Sequence, residues 1–204
     1  MTQLGNAPEF YKALRAHKIM GVTLDQIEVD GIETLLRAMG NAGWGRRFTA
    51  YGLATAYHET AGTMRPVHEY GSYEYLRNNY DVTGRRPAMA RNMGNINPGD
   101  GVRYAGRGYV QLTWRNNYVR AGQALGRDLV THPDDAMLPD VAADVMTRGM
   151  AEGWFTGRKL SDFITAARCD FKGARAVING TDKAAIIANV ADKFLDCLTA
   201  GGWA

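Results

Sequence analysis

Apolar and polar positions change their period several times along the chain, and each period names an element. Thr23 with Gln26 has the spacing of a capping box, and Ile32, Leu35, Leu36 and Met39 then recur at helical spacing until Gly40 and Gly43. This predicts an amphipathic core helix. A second helix is predicted over 48–60, where Tyr51, Ala54, Tyr57 and His58 share a face and Gly62 ends the run. Glu59 then lies in its last turn. Between Gly62 and Tyr109 the period dissolves into turn signals such as Tyr70-Gly71-Ser72-Tyr73 and Asn95-Ile96-Asn97-Pro98-Gly99-Asp100-Gly101. A long irregular stretch in a compact domain is often functional. From Tyr109 to Trp114 the residues alternate, Tyr109, Gln111 and Thr113 against Val110, Leu112 and Trp114, which predicts a short half-buried strand.

Helices follow over 117–125, from Pro139 with Ala142, Val145, Met146 and Gly149 on one face, and from Ser161. A last one runs from Asp182, with Ile186, Val190, Phe194 and Cys197 as its buried stripe. The pattern as a whole predicts a mainly α protein (α+β), two helical lobes flanking a cleft with a small β element.

Composition narrows this picture by exclusion. A chain of 204 residues, 46% hydrophobic and 22% charged, buries a core without staples and reads as a single domain over 1–204. The two cysteines, Cys169 and Cys197, fall among apolar neighbours and read as buried free thiols. Glu9, Lys12, Arg15 and Lys18 interrupt the stretch from Met1 to Met20, so it lacks the apolar core of a signal peptide, and no window reaches transmembrane length. A formal charge of +3 is too weak to name a partner, although it favours anionic surfaces. Only Arg46-Arg47 and Arg85-Arg86 are adjacent basic pairs, which argues against a nucleic-acid module.

The candidate chemistry is carboxylate chemistry. A proton donor paired with a base or nucleophile is what cleavage of a glycosidic bond requires, and Glu59, Glu69 and Glu74 lie close together in the chain. Glu59 is placed at the negative end of a helix, and with apolar or aromatic surroundings that position disfavours the charged form, as suits a general acid. Taken alone, each glutamate also reads as an ordinary solvated side chain. His58-Glu59 and His68-Glu69 invite a zinc reading, but the helical His-Glu-x-x-His spacing is absent and no catalytic metal or other cofactor is expected. Gly106-x-Gly108 lacks the third glycine of a nucleotide loop, and the 95–106 segment has Gly106 where a calcium loop needs Glu.

Several motifs in one order resemble glycoside hydrolase family 19, the family of plant-type chitinases and many phage endolysins. They are His58-Glu59-Thr60, the run Gly106-Arg107-Gly108-Tyr109-Val110-Gln111-Leu112-Thr113-Trp114, Asn117-Tyr118 and Ile178-Asn179-Gly180. The resemblance spans about Tyr51 to Gly180 and implies a lysozyme-like fold. It also implies that Glu59 is the general acid and that Glu69, about ten positions on, is the base of an inverting mechanism, with Glu74 as the alternative base. Such carboxyl groups stand about 6.5–9.5 Å apart. Gln111 and Thr113 fall where the family holds substrate and the attacking water, Asn117 and Asn179 where it contacts substrate, and Tyr109 joins them as a candidate binding residue.

The chain departs from the plant-type pattern at Ala61, where a second threonine is usual, at Thr113, which replaces a serine, and after Glu69. With its length and lack of a secretory signal, it resembles a phage lysin: a monomer with no separate wall-binding domain, acting on bacterial peptidoglycan. The enzyme is then held in the host cytoplasm until a separate membrane-permeabilising protein releases it to the periplasm and cell wall, with no stable membrane insertion of its own. The alternatives are a chitinase acting on chitin oligomers, a lytic transglycosylase, and a non-catalytic wall-glycan-binding module.

Overall fold

In the computed structural model, residues 4–21 and 23–204 are described. The first three residues of the Met1 to Met20 stretch lie outside them. Among the described residues the α-helices are α1 (Ala7–Ala16), α2 (Gln26–Asn41), α3 (Arg46–Glu59), α4 (Tyr73–Tyr80), α5 (Pro87–Asn92), α6 (Asp100–Arg103), α7 (Arg115–Leu125), α8 (Pro139–Glu152) and α9 (Ala184–Ala200). Two short strands, β1 (Val67–His68) and β2 (Arg107–Gly108), complete a mainly α fold. The chain divides into two compact units, one of Met1–Arg65 with Thr147–Ala204 and one of Pro66–Met146.

In the first unit α3 is the central element. Its middle is buried all round, every residue from Thr49 to Ala56. α9 packs along it through Ala184, Ile187, Ala191, Phe194, Cys197 and Leu198. Of the predicted stripe Phe194 and Cys197 are buried, whereas Ile186 is 57% exposed and Val190 only partly covered, and in the first half of the helix the inward face runs through Ala184, Ile187 and Ala191 instead. α2 buries Ile32, Leu35, Leu36 and Met39 as its period predicts. Its capping box is Asp25 with Glu28, two residues beyond the predicted Thr23 and Gln26, since the Asp25 carboxylate accepts from the Glu28 N–H at 2.7 Å and Glu28 accepts from the Asp25 N–H. Gly52 lets α3 approach α2, for a Cβ there would stand 2.5 Å from the Met39 methyl and 2.8 Å from the Trp44 ring.

Two further expectations fail in this unit. The segment from Ser161 forms a 3₁₀ turn, Leu160–Asp162, and an isolated bridge between Ile164 and Cys169 instead of a helix. Cys169 is consequently exposed, whereas Cys197 is buried on α9, where burial pushes its thiol up to about 12. Both thiols are free.

The second unit contains the stretch without periodicity, and it holds more helix than its sequence predicts: α4, α5 and α6 are too short for a 3.6-residue period to show. Buried polar side chains hold the connections between them. Asp81 accepts from the Gly99 and Gly101 N–H groups at 2.7 and 3.1 Å, Asp100 accepts from Ile96 and Asn97, and Asn95 bridges the Tyr80 carbonyl and the Arg115 N–H.

β1 and β2 pair antiparallel, Val67 with Gly108 and His68 with Arg107. The predicted strand over 109–114 is instead a tight loop. Arg107 and Leu112 exchange backbone hydrogen bonds, and the chain passes through positive φ at Gly108 (90°), Gln111 (55°) and Trp114 (77°). The alternation has real content, since Val110, Leu112 and Trp114 are buried while Gln111 and Thr113 are partly exposed, but a turn produces it. Arg107, 6% exposed, anchors the loop by donating to Asp134, the Tyr118 hydroxyl and the Arg103 and Ala105 carbonyls.

Candidate active site

Glu59 is the last residue of α3, in the last turn of the helix as the helical period over 48–60 predicts. The turn after it is tied down by the buried Thr60, whose hydroxyl donates to the Ala56 carbonyl and accepts from the Met64 N–H. Ala61 then takes a positive φ of 51°, at the position where the plant-type pattern has a threonine. The expected apolar surroundings of Glu59 are corrected by the structure: its carboxylate accepts from the Arg175 guanidinium at 2.5 Å, with the two side chains 18% and 4% exposed. Arg175 belongs to the 3₁₀ turn Gly173–Val177, donates from Nε to the Asp182 carbonyl and offers its own carbonyl to the Asn179 N–H. The first unit therefore brings together Glu59, Arg175 and the loop of Asn179, whose side chain is exposed. A cavity of about 830 Å³ opens at the other end of α3, beside Trp44, Phe48 and Leu195.

The second unit assembles Glu69, Gln111, Thr113 and Asn117. Glu69 follows β1, and its carboxylate is held on both oxygens, by the Tyr80 hydroxyl at 2.7 Å and by the Gly106 N–H at 3.1 Å. A Cβ at Gly106 would stand 2.6 Å from the Gln111 amide oxygen and 3.1 Å from the Glu69 carboxylate, so a side chain there would push against both groups. Gln111 donates to the Val67 carbonyl, Thr113 donates to the Gln111 carbonyl and Asn117 donates to the Thr113 carbonyl, a relay that fixes three side chains. With its hydrogen committed, the Thr113 hydroxyl presents lone pairs. Glu69 also lines a depression of about 370 Å³ formed by Val67 to Gly71. Burial, and then the bond to Glu69, push the Tyr80 hydroxyl well above the usual phenol range, so it remains a donor.

The structure separates the two candidate bases. Glu74 sits in the first turn of α4, 75% exposed, against Arg77 at 3.5 Å. Glu69 is partly buried and oriented by two donors. Tyr109 is corrected from a substrate contact to a core residue, because only 1% of it is exposed. No group of three or more His, Cys, Asp or Glu side chains among the described residues is arranged to hold a metal ion. Sequence reading missed Arg175 and Tyr80; the first lies 116 positions from its partner and the second eleven, and neither separation is a motif.

Comparison with known proteins bears on what this arrangement is. The family model described as class I chitinase, glycoside hydrolase family 19, matches residues 36–156, more than half of the chain. The chain belongs to glycoside hydrolase family 19. The family match spans both Glu59 and Glu69 and stops short of Arg175 and Asn179. An acidic endochitinase of Petunia hybrida is 30% identical over 159 residues, 74% of this chain and 53% of its own length. An inactive chitinase-like protein of Hevea brasiliensis is 46% identical over 55 residues, 27% of this chain and 16% of its own. Chitinase C from Streptomyces griseus has the same fold, with a TM-score of 0.65 at 21% identity over 97% of this chain and 77% of that one. The chain spans 35% to 53% of the length of the first curated relatives it matches in this family. No helix among the described residues is long and apolar enough to cross a membrane.

Proposed function

We propose that this family 19 chain works over 1–204 as one catalytic domain that hydrolyses glycosidic bonds, with Glu59 as general acid and Glu69 as general base. The observation that carries the reading is the two-point clamp on Glu69. A base must aim one oxygen at a water, and a carboxylate fixed by the Tyr80 hydroxyl and the Gly106 N–H cannot rotate away. In the proposed reaction Glu59 gives its proton to the departing sugar oxygen while Glu69 takes one from the attacking water, inverting the anomeric centre. The Thr113 hydroxyl accepts from that water, and Gln111, Asn117 and Asn179 bind the sugar.

The substrate is a polymer of N-acetylated hexosamines. Chitin oligomers fit the names of the curated relatives. Peptidoglycan is the second substrate in this reading, and the formal charge of +3 favours approach to an anionic wall. The lytic role, with a separate permeabilising protein that releases the enzyme to the periplasm and wall, goes with peptidoglycan.

A non-catalytic glycan-binding protein is the competing function, favoured by the inactive relative from Hevea. The deciding experiment is turnover of chitin oligomers and of purified peptidoglycan by wild type and Glu59→Gln, with product ends identified by mass spectrometry. Reducing ends that vanish in the variant support hydrolysis, and the polymer that yields them names the substrate. Anhydro ends indicate a transglycosylase. Binding without turnover of either polymer overturns the catalytic reading.

A further inference from the structure

Tyr51, Thr55 and Glu59 stand four residues apart on α3 and share one face of it. Tyr51 and Thr55 are sealed inside, 0% and 1% exposed, and neither hydroxyl meets a hydrogen-bond partner of ordinary geometry. Thr55 and the charged groups of Arg175 and Glu59 stand within electrostatic reach of the Tyr51 hydroxyl. Burial pushes the Tyr51 hydroxyl well above the usual phenol range, so it keeps its proton and must place it somewhere.

Packing does not account for these oxygens. The Tyr51 ring stacks on Phe171 at 5.8 Å, which Phe would do as well, and Val would fill the volume of Thr55. A buried hydroxyl left unsatisfied loses its hydration with nothing in return, so each one weakens the fold unless a polar group completes it. The neighbouring group with donors to spare is Arg175, which commits Nε to Asp182 and one Nη1 hydrogen to Glu59 out of five N–H groups.

We propose that Tyr51 and Thr55 are positioning residues, whose hydroxyls close a buried polar network with Arg175, bridged by a water where direct contact is out of reach, and so hold the guanidinium that orients Glu59. A buried water needs two to four polar partners, and this row supplies them. The inference rests on the reading of Glu59 as the proton donor.

The test uses the full chain with Thr55→Val, Tyr51→Phe, the conservative Thr55→Ser, and Glu59→Gln as control. Each is assayed for kcat and KM on chitin hexasaccharide and purified peptidoglycan, with thermal unfolding alongside. Thr55→Val and Tyr51→Phe should lower kcat roughly ten- to a hundredfold with KM within about twofold, because a misplaced reacting group acts on the chemical step. Their Tm should be unchanged or raised, and Thr55→Ser should keep wild-type kcat. Wild-type kcat in the Val and Phe variants, with Glu59→Gln inactive, overturns the network and leaves the catalytic reading intact. A fall in kcat that follows a fall in Tm and is not restored by Ser assigns the hydroxyls to packing and also overturns it. Activity in Glu59→Gln overturns the reading beneath. The Arg175 Nε–H signal in NMR tests the network without turnover: it should shift and exchange faster in Thr55→Val, and an unchanged signal refutes the network.

Discussion

Replacing Tyr80 by Phe removes one oxygen and leaves the ring, whose edge-on contact with Trp114 at 5.1 Å does not depend on the hydroxyl. What is lost is a 2.7 Å hydrogen bond to one oxygen of Glu69, while the other oxygen keeps the Gly106 N–H at 3.1 Å. A hydrogen bond to a charged group is worth about 1.5–3 kcal/mol, and because Tyr80 is only half-buried the lower end applies. At about 1.4 kcal/mol per decade, kcat should fall about tenfold, since a carboxylate pinned at one point spends much of its time misaligned. KM should change little, because Tyr80 is not proposed to touch substrate. The assay is initial-rate kinetics on whichever glycan the wild type cleaves, combined with Glu69→Gln in a double-mutant cycle. If Tyr80 acts through Glu69, its substitution costs nothing further once Glu69 is Gln. Full activity in Tyr80→Phe, or the same tenfold loss in the Glu69→Gln background, refutes the argument.

Other consequences can be read from rate and stability measurements. Glu59→Gln and Glu69→Gln should each lower turnover by roughly 10²–10⁴-fold, with Glu74→Gln nearly silent; the reverse order for Glu69 and Glu74 would move the base to α4. Arg175→Leu should destabilise the protein by about 3 kcal/mol in urea unfolding, because it strands a largely buried carboxylate, and a loss below about 1 kcal/mol would show that Glu59 is solvated without it. Burial alone would raise the Asp81 carboxyl, but the Thr83 N–H and hydroxyl and the Gly101 and Gly99 N–H groups outweigh it and hold the group below its ordinary 3.8. Its stabilisation is therefore full above the unfolded value and is lost as pH falls through the lower folded one. Asp81→Asn should cost stability at neutral pH and flatten the acid limb of the unfolding profile; parallel wild-type and variant curves would contradict this.

The helices that were legible are those long enough to repeat their period. Ile32, Leu35, Leu36 and Met39 announce the buried face of α2, and Pro139 with Ala142, Val145 and Met146 announces α8, because a helix of several turns must show its core one side chain per turn. The motif residues Glu59, Glu69, Gln111, Thr113 and Asn117 were legible as a set because the family pattern keeps them in order. In α9 the period shows Phe194 and Cys197 as core, but it does not choose between the adjoining apolar rows of Ile186 with Val190 and Ile187 with Ala191, because both are apolar and only packing decides which one turns inward. The strand over 109–114 was misread because period-two burial does not reveal φ, and Gln111 and Trp114 take positive values that no strand adopts.

Residue type and near-neighbour spacing were enough for the helical class, the long amphipathic elements and the carboxylates worth testing. The tertiary structure alone decided what stands against those carboxylates. Arg175 reaches Glu59 across 116 positions, Tyr80 and Gly106 close on Glu69 from two sides, and Glu74 is left in solvent. Hydrogen bonds and ion pairs act over a few ångströms of space, and a chain that folds back on itself brings together groups whose separation in sequence carries no record of the encounter.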